Sequence, residues 1–189
     1  MPRAGLSPDL LVAEAGRLVD ESGTEALTLS ALAQRFGVAQ PSLYKHLRGL
    51  DDLHGRLAAL AAQELAAALR RAVSGLAGEV AVRASAAAYR DYARAHPGRY
   101  RYLLRPRSGD DEHGRASAEV LEVLYAVLGG YGLVEEDDLV DAARLLRSTL
   151  HGFVSLELEG GFAMARSVDR SFERLVTSLD KALAGWLRG

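Results

Sequence analysis

The stretch "LTLSALAQRFGVAQPSLYKHL", residues 27–47, decides how the chain is read. Thr28 is placed to cap a short helix whose inner face carries Leu32, Ala33 and Phe36, and Gly37 ends it. Val38-Ala39 forms a turn. A second short helix is expected from about Gln40 to Leu47, with Pro41 in its first turn and Leu43 and Leu47, four apart, facing inward. That leaves Gln40, Pro41, Ser42, Tyr44, Lys45 and His46 on the outside. A helix that only packs a core has no use for such a surface.

Helix, short turn, helix is the arrangement that places its second helix in the major groove of DNA. The residue types suit that task. The Gln40 amide can pair in bidentate fashion with adenine, Pro41 can touch a thymine methyl, and Ser42 can donate or accept. Tyr44, Lys45 and His46 reach phosphates, which fix register without reading sequence. Thr28 stands where the free N–H groups of the preceding helix would face the backbone. Two short helices around a Gly turn also occur in bundles that touch no DNA, so spacing alone leaves both readings open.

Outward from this stretch the pattern stays helical. Pro8 opens a first helix with Leu11, Ala15, Leu18 and Val19 at helical spacing, stopped by Ser22-Gly23. From Asp51 to about Ser74, positions Leu53, Leu57, Leu60, Ala61, Leu65, Ala68, Ala72 and Leu76 trace one long stripe. Further helices are expected at about 79–96, at 98–104 and from Ala116 to "GGYG", with "RPRSGDDEHG", 105–114, as a polar loop. "EEDD", 135–138, opens a helix carrying Leu139, Ala143, Leu146, Leu150, Phe153 and Leu158. The last helix places Val168, Phe172, Leu175, Leu179, Leu183 and Trp186 at steps of three and four. The expectation is an all-α chain of about nine helices. A helix-turn-helix domain would span 1–49, and a helical effector-binding and dimerisation domain 50–189.

Composition narrows the function. The 189 residues include no cysteine, which excludes disulfides and thiolate chemistry. The net charge of -2 argues mildly against a nucleic-acid binder, but Arg35, Lys45, Arg48 and Arg56 cluster around the reading stretch against Asp51 and Asp52. The five His show no metal-ligand spacing, and no nucleophile elbow, phosphate-cradling loop or dinucleotide fingerprint occurs. No catalytic residue, cofactor or metal is expected. The N-terminus lacks a signal peptide's apolar core and no run is long enough to span a membrane, so a soluble cytoplasmic protein is expected.

Residues 27–58, "LTLSALAQRFGVAQPSLYKHLRGLDDLHGRLA", resemble the DNA-binding segment of the tetracycline-repressor (TetR) family, and "GVAQPSLYKHL" resembles its recognition helix. The resemblance implies a homodimer whose C-terminal domain binds a small molecule that releases double-stranded operator DNA. It assigns base contact to Gln40, Pro41, Ser42 and Lys45, and backbone contact to Thr28, Tyr44 and His46. Two positions depart from the pattern. Leu50 stands where the family usually has a phosphate-anchoring Lys, and Ser30 stands where some relatives read a base with Arg, which implies either a lower affinity or Arg48 as a substitute.

Farther on, "HPGRYRYL" at 96–103 and "LHGFVSLELEGGF" at 150–162 resemble TetR-like C-terminal domains with a Trp-His-Gly signature, with Leu150 in the Trp position. Tyr89, Tyr92, Tyr102, Leu103, Leu121, Leu124, Tyr125 and His151 offer the mixture of apolar wall and few polar groups expected of a pocket for a mostly apolar effector. The stripes of the last two helices, through Leu146, Leu150, Phe153, Phe172, Leu175, Leu179 and Leu183, read as a dimerisation face or as intrachain core; the resemblance favours the dimer. A constitutive DNA-binding repressor with no effector and a helical protein-interaction module are the alternative functions.

Overall fold

A computed structural model describes residues 6–103 and 111–188. Every regular element among them is helical: α1 (Pro8–Ser22), α2 (Leu29–Phe36), α3 (Leu50–Val73), α4 (Gly78–Ala95), α5 (Pro97–Tyr102), α6 (Asp111–Gly129), α7 (Glu136–Leu158) and α8 (Val168–Gly185). Short 3-10 segments lie at Thr24–Ala26, Gln40–Lys45 and Trp186–Arg188. The eight α-helices and the segment at 40–45 match the count of about nine.

The chain divides into two compact units. The first comprises Met1–Glu64 and Ala95–Ser117, the second Leu65–Arg94 and Ala118–Gly189. The boundary expected after residue 49 falls at the start of α3, whereas the packing divides within that helix and returns α5 to the first unit.

In the first unit, local chemistry sets the helix ends. Ser7 caps α1 by accepting from the Leu10 amide at 3.2 Å, with Pro8 in the first turn, where its missing N–H costs nothing. Gly37, at φ 62°, closes α2 in the left-handed conformation and donates its amide back into the last turn. Leu11, Ala15 and Val19 of α1, Leu29, Leu32 and Ala33 of α2, Leu43 and Leu47, and Leu53 and Leu57 of α3 form one buried cluster, which also takes in Tyr102. At roughly 1.5–3 kcal/mol for each large apolar side chain removed from water, this cluster is what holds the short elements in place; neither an eight-residue helix nor a six-residue one stands alone.

α5 lies tightly on α1. A Cβ added to Gly98 would sit 2.1 Å from the Val19 carbonyl oxygen, so no other residue fits. Asp20 accepts from the Arg99 amide (2.9 Å) and from Arg99 Nε (2.7 Å), while the far end of the same guanidinium donates to both oxygens of Glu64.

In the second unit, the rings of Phe153 of α7 and Phe172 of α8 meet at a tilt of 56° with their centroids 5.2 Å apart. Arg90 of α4 lies 4.6 Å over the Phe172 ring and donates to both oxygens of Glu157 and to Asp169. Tyr131 donates to Asp180 (2.6 Å) and Trp186 Nε1 to Asp138 (2.9 Å).

Three expectations need correction. The segment at 40–45 is a 3-10 helix, because so short a run after Gly37 and an extended Ala39 closes on three-residue bonds such as Ser42 N–H to Ala39 O. The loop expected at 105–114 falls partly outside the described residues, and from Asp111 the chain is already helical; Gly114 sits there in open space, so it costs only the modest propensity penalty of a helical glycine. Leu76 lies beyond α3 and is exposed, since Gly75 at φ 73° stops the stripe. In α7 and α8, Leu146, Leu150, Phe153, Phe172, Leu179 and Leu183 are buried and Leu175 is half-buried.

Replacing Gly98 by Ala forces its methyl group into the α1 backbone and costs about 3 kcal/mol. Thermal denaturation followed by circular dichroism should show a melting temperature lowered by roughly 10 °C.

Candidate functional site

The candidate interface is built from the inside out. Leu43 is wholly buried and Leu47 nearly so, which fixes the rotation of the segment between them. With that side committed to the core, Gln40, Pro41, Lys45 and Tyr44 are exposed, Tyr44 at 56%, while Ser42 and His46 are half-buried. α2 brings two more residues to its start. Thr28 caps the helix, its Oγ1 accepting from the Ala31 amide at 3.0 Å, and its own O–H stays available to donate. Ser30, the second residue of the helix, is exposed.

The charges are arranged differently from what the sequence alone suggests. Arg35 is turned back onto α1, where its guanidinium donates to Glu14 at 2.7 Å and to Glu21. Arg48 donates to Asp52 Oδ1 at 3.0 Å through its guanidinium and to Oδ2 at 3.0 Å through its backbone amide. Arg56 approaches the same carboxylate at 3.3 Å. Burial alone would raise the Asp52 pKa, but the Arg48 amide and guanidinium and then Arg56 outweigh it and hold the carboxyl below its ordinary value. Lys45 is the remaining cation of the cluster, and it forms no ion pair with any described residue. Leu50, in the phosphate-anchor position, is half-buried against the core cluster.

The step of four from Asp52 to Arg56 lies within α3, and Arg48 stands four residues before Asp52 in the bend that precedes the helix, so this spacing is visible in the sequence. The Arg35 pairs join residues 21 and 14 apart in sequence and depend on how α1 crosses α2, which no local signal reveals.

The residues put forward for an effector pocket separate. Tyr89 and Tyr92 of α4, Leu121, Leu124 and Tyr125 of α6 and His151 of α7 belong to the second unit; Tyr102 and Leu103 belong to the first, Tyr102 within the core cluster. His151 is half-buried, with Nε2 3.2 Å from Ser155 Oγ one turn on. Burial first, then the positive charge of Arg147, pushes its imidazole below the ordinary value. Among the described residues no group of His, Cys, Asp or Glu could hold a metal ion, and no helix is long and apolar enough to cross a membrane.

A core-anchored short segment with its polar side turned out, after a capped eight-residue helix and a turn, defines a helix-turn-helix protein. Residues 11–54 match the model of bacterial regulatory proteins of the tetR family, and residues 82–179 match the tetracyclin repressor-like C-terminal domain. The chain is 40% identical over 159 residues to an uncharacterized HTH-type transcriptional regulator of Mycobacterium tuberculosis, Rv0681, a match covering 83% of this chain and 72% of that one. Its fold is shared with BioQ in complex with its double-stranded DNA operator (TM-score 0.69, 23% identity, 95% of this chain and 99% of that one). It also resembles a TetR variant from Acinetobacter baumannii in complex with minocycline (TM-score 0.69, 25% identity, 97% and 98%). The chain belongs to the TetR family and is a DNA-binding transcriptional regulator.

A folded-state His pKa below the unfolded one means that the unfolded chain takes up the proton first as the pH falls. The His151 contribution therefore weakens stability as the pH drops through 6.5. Chemical denaturation at a series of pH values should show His151→Gln flattening that part of the profile.

Proposed function

We propose that the protein is a homodimeric repressor, working in the cytoplasm, that holds a palindromic operator and is released from it by a mostly apolar small molecule. The observation that carries this reading is the outward face of residues 40–45. Gln40, Pro41 and Ser42 stand at the N-terminal end of the segment, the end that meets base edges, and Leu43 behind them fixes their aim. In this reading Gln40 reads an adenine, while Lys45, Tyr44, His46 and Thr28 fix the register on phosphates. Ser30, short and uncharged, adds at most a hydroxyl contact.

Two copies of the reading segment about 34 Å apart would face two successive major grooves, which is the physical reason for a dimer on a two-fold operator. In this reading the second copy packs on α7 and α8, the helices that carry Leu146, Leu150, Phe153, Phe172, Leu175, Leu179 and Leu183, and exposed Ser148, Gly152 and Leu156 follow one another by one turn on α7. The binding of minocycline by one relative of the same fold supports an effector in the C-terminal domain. Tyr89, Tyr92, Leu121, Leu124, Tyr125 and His151, together in the second unit, are the residues offered for it. The His151-Gly152 pair of the Trp-His-Gly signature lies there too, with Leu150 buried in the Trp position. No catalytic role is assigned to any residue.

Selection of bound sequences from a random duplex pool tests the reading directly. A two-fold symmetric sequence should be enriched; an unsymmetric or unenriched pool would remove the operator claim. Gln40→Ala should cost about 1–3 kcal/mol at a single base pair of the selected operator and leave the other positions unaffected. His46→Ala should weaken binding to the selected and to random duplex by the same factor, measured by fluorescence anisotropy; a changed sequence preference would count against its backbone role.

A further inference from the structure

The arginines that flank the reading segment do not stand ready for phosphate. Arg48 follows the segment and Arg56 lies two turns into α3, and one carboxylate serves both: Asp52 Oδ1 is 3.0 Å from the Arg48 guanidinium and 3.3 Å from Arg56 Nε. The Asp52 side chain is only 4% exposed, whereas that of Arg48 is 80% exposed. A carboxylate so buried is poorly screened and has little water to fall back on if its counter-charges leave. It therefore stays charged and offsets two guanidiniums whose charge would otherwise add to the attraction of a duplex. Arg35 is engaged in the same manner by Glu14 and Glu21 of α1. Sequence-independent attraction to DNA grows with the number of phosphates that cations neutralise, whereas discrimination comes from base edges. Locking arginines beside neutral Gln40, Pro41 and Ser42 lowers the first without touching the second.

We propose that Asp52 is a specificity-determining residue: by acting as the shared counter-charge of Arg48 and Arg56 it suppresses binding to unrelated DNA and so widens the gap between operator and non-operator sequences. Asp52 does not itself touch DNA; it acts through the two arginines. The proposal rests on the reading of residues 40–45 as the base-reading segment.

The test compares the wild-type chain with Asp52→Asn, which keeps an oxygen to accept from the Arg48 amide but removes the charge. Affinity is measured by fluorescence anisotropy over a range of salt, for the duplex selected by the wild type and for an unrelated duplex of the same length. Asp52→Asn should bind the unrelated duplex roughly tenfold tighter at 0.1 M salt for each guanidinium that reaches a phosphate, and its plot of log affinity against log salt should steepen by about 0.9 per contact. The operator should gain less, so the ratio between the two falls. The double variant Arg48→Gln/Asp52→Asn should return about half of the gain. If Asp52→Asn does not fold, as judged by circular dichroism, Asp52→Ser removes the same charge and must behave alike.

An unchanged affinity and salt slope for the unrelated duplex would overturn the proposal, as would weaker binding to both duplexes, which would make Asp52 a structural support only. Either result leaves the base-reading role of 40–45 standing. A wild-type chain that selects no sequence from the pool would instead remove that role, and this proposal with it.

Discussion

The burial of Leu43 is the constraint on which the rest depends. It is wholly inaccessible, held among Leu11, Leu32, Leu53 and Leu57. A six-residue 3-10 segment has too few hydrogen bonds of its own to keep a fixed orientation. Its rotation is set by the side chain it surrenders to the core, and the polar residues on the other side inherit that setting. The capped start of α2, the left-handed Gly37 and the long α3 all serve to build the socket that receives this one leucine.

Electrostatics on the same unit follow a different logic. A chain with a net charge of -2 can bind a polyanion only through local arrangement. Here the local arrangement is itself restrained: three arginines near the reading segment are matched by carboxylates of α1 and α3. What remains is Lys45 and a set of neutral donors. Recognition built this way leans on geometry more than on charge.

The sequence made the helical architecture legible because apolar steps of three and four report a buried face whatever that face meets. It made the reading residues legible because a capping Thr, a Gly stop and an N-terminal Pro are local signals. What it could not convey was the identity of the surface behind each stripe. The stripe through Leu146, Leu150 and Phe153 is equally regular whether it meets another helix of the same chain or a second copy, and only the fold shows that the Phe172 ring lies against Phe153. The same limit applied to Tyr102, an aromatic residue in an amphipathic run that proved to be core of the first unit. The turn type of residues 40–45 escaped too, since α and 3-10 geometry ask for the same residues over so short a span.

The anchoring of the reading segment by a single inward side chain has an evolutionary corollary. Gln40, Pro41, Tyr44 and Lys45 are exposed and contribute little to folding, so exchanging them leaves the scaffold intact. Such a head can be readdressed to a new sequence by a handful of substitutions without first acquiring compensating changes elsewhere. Descendants of one gene copy can in this way diverge in their targets while keeping the same body.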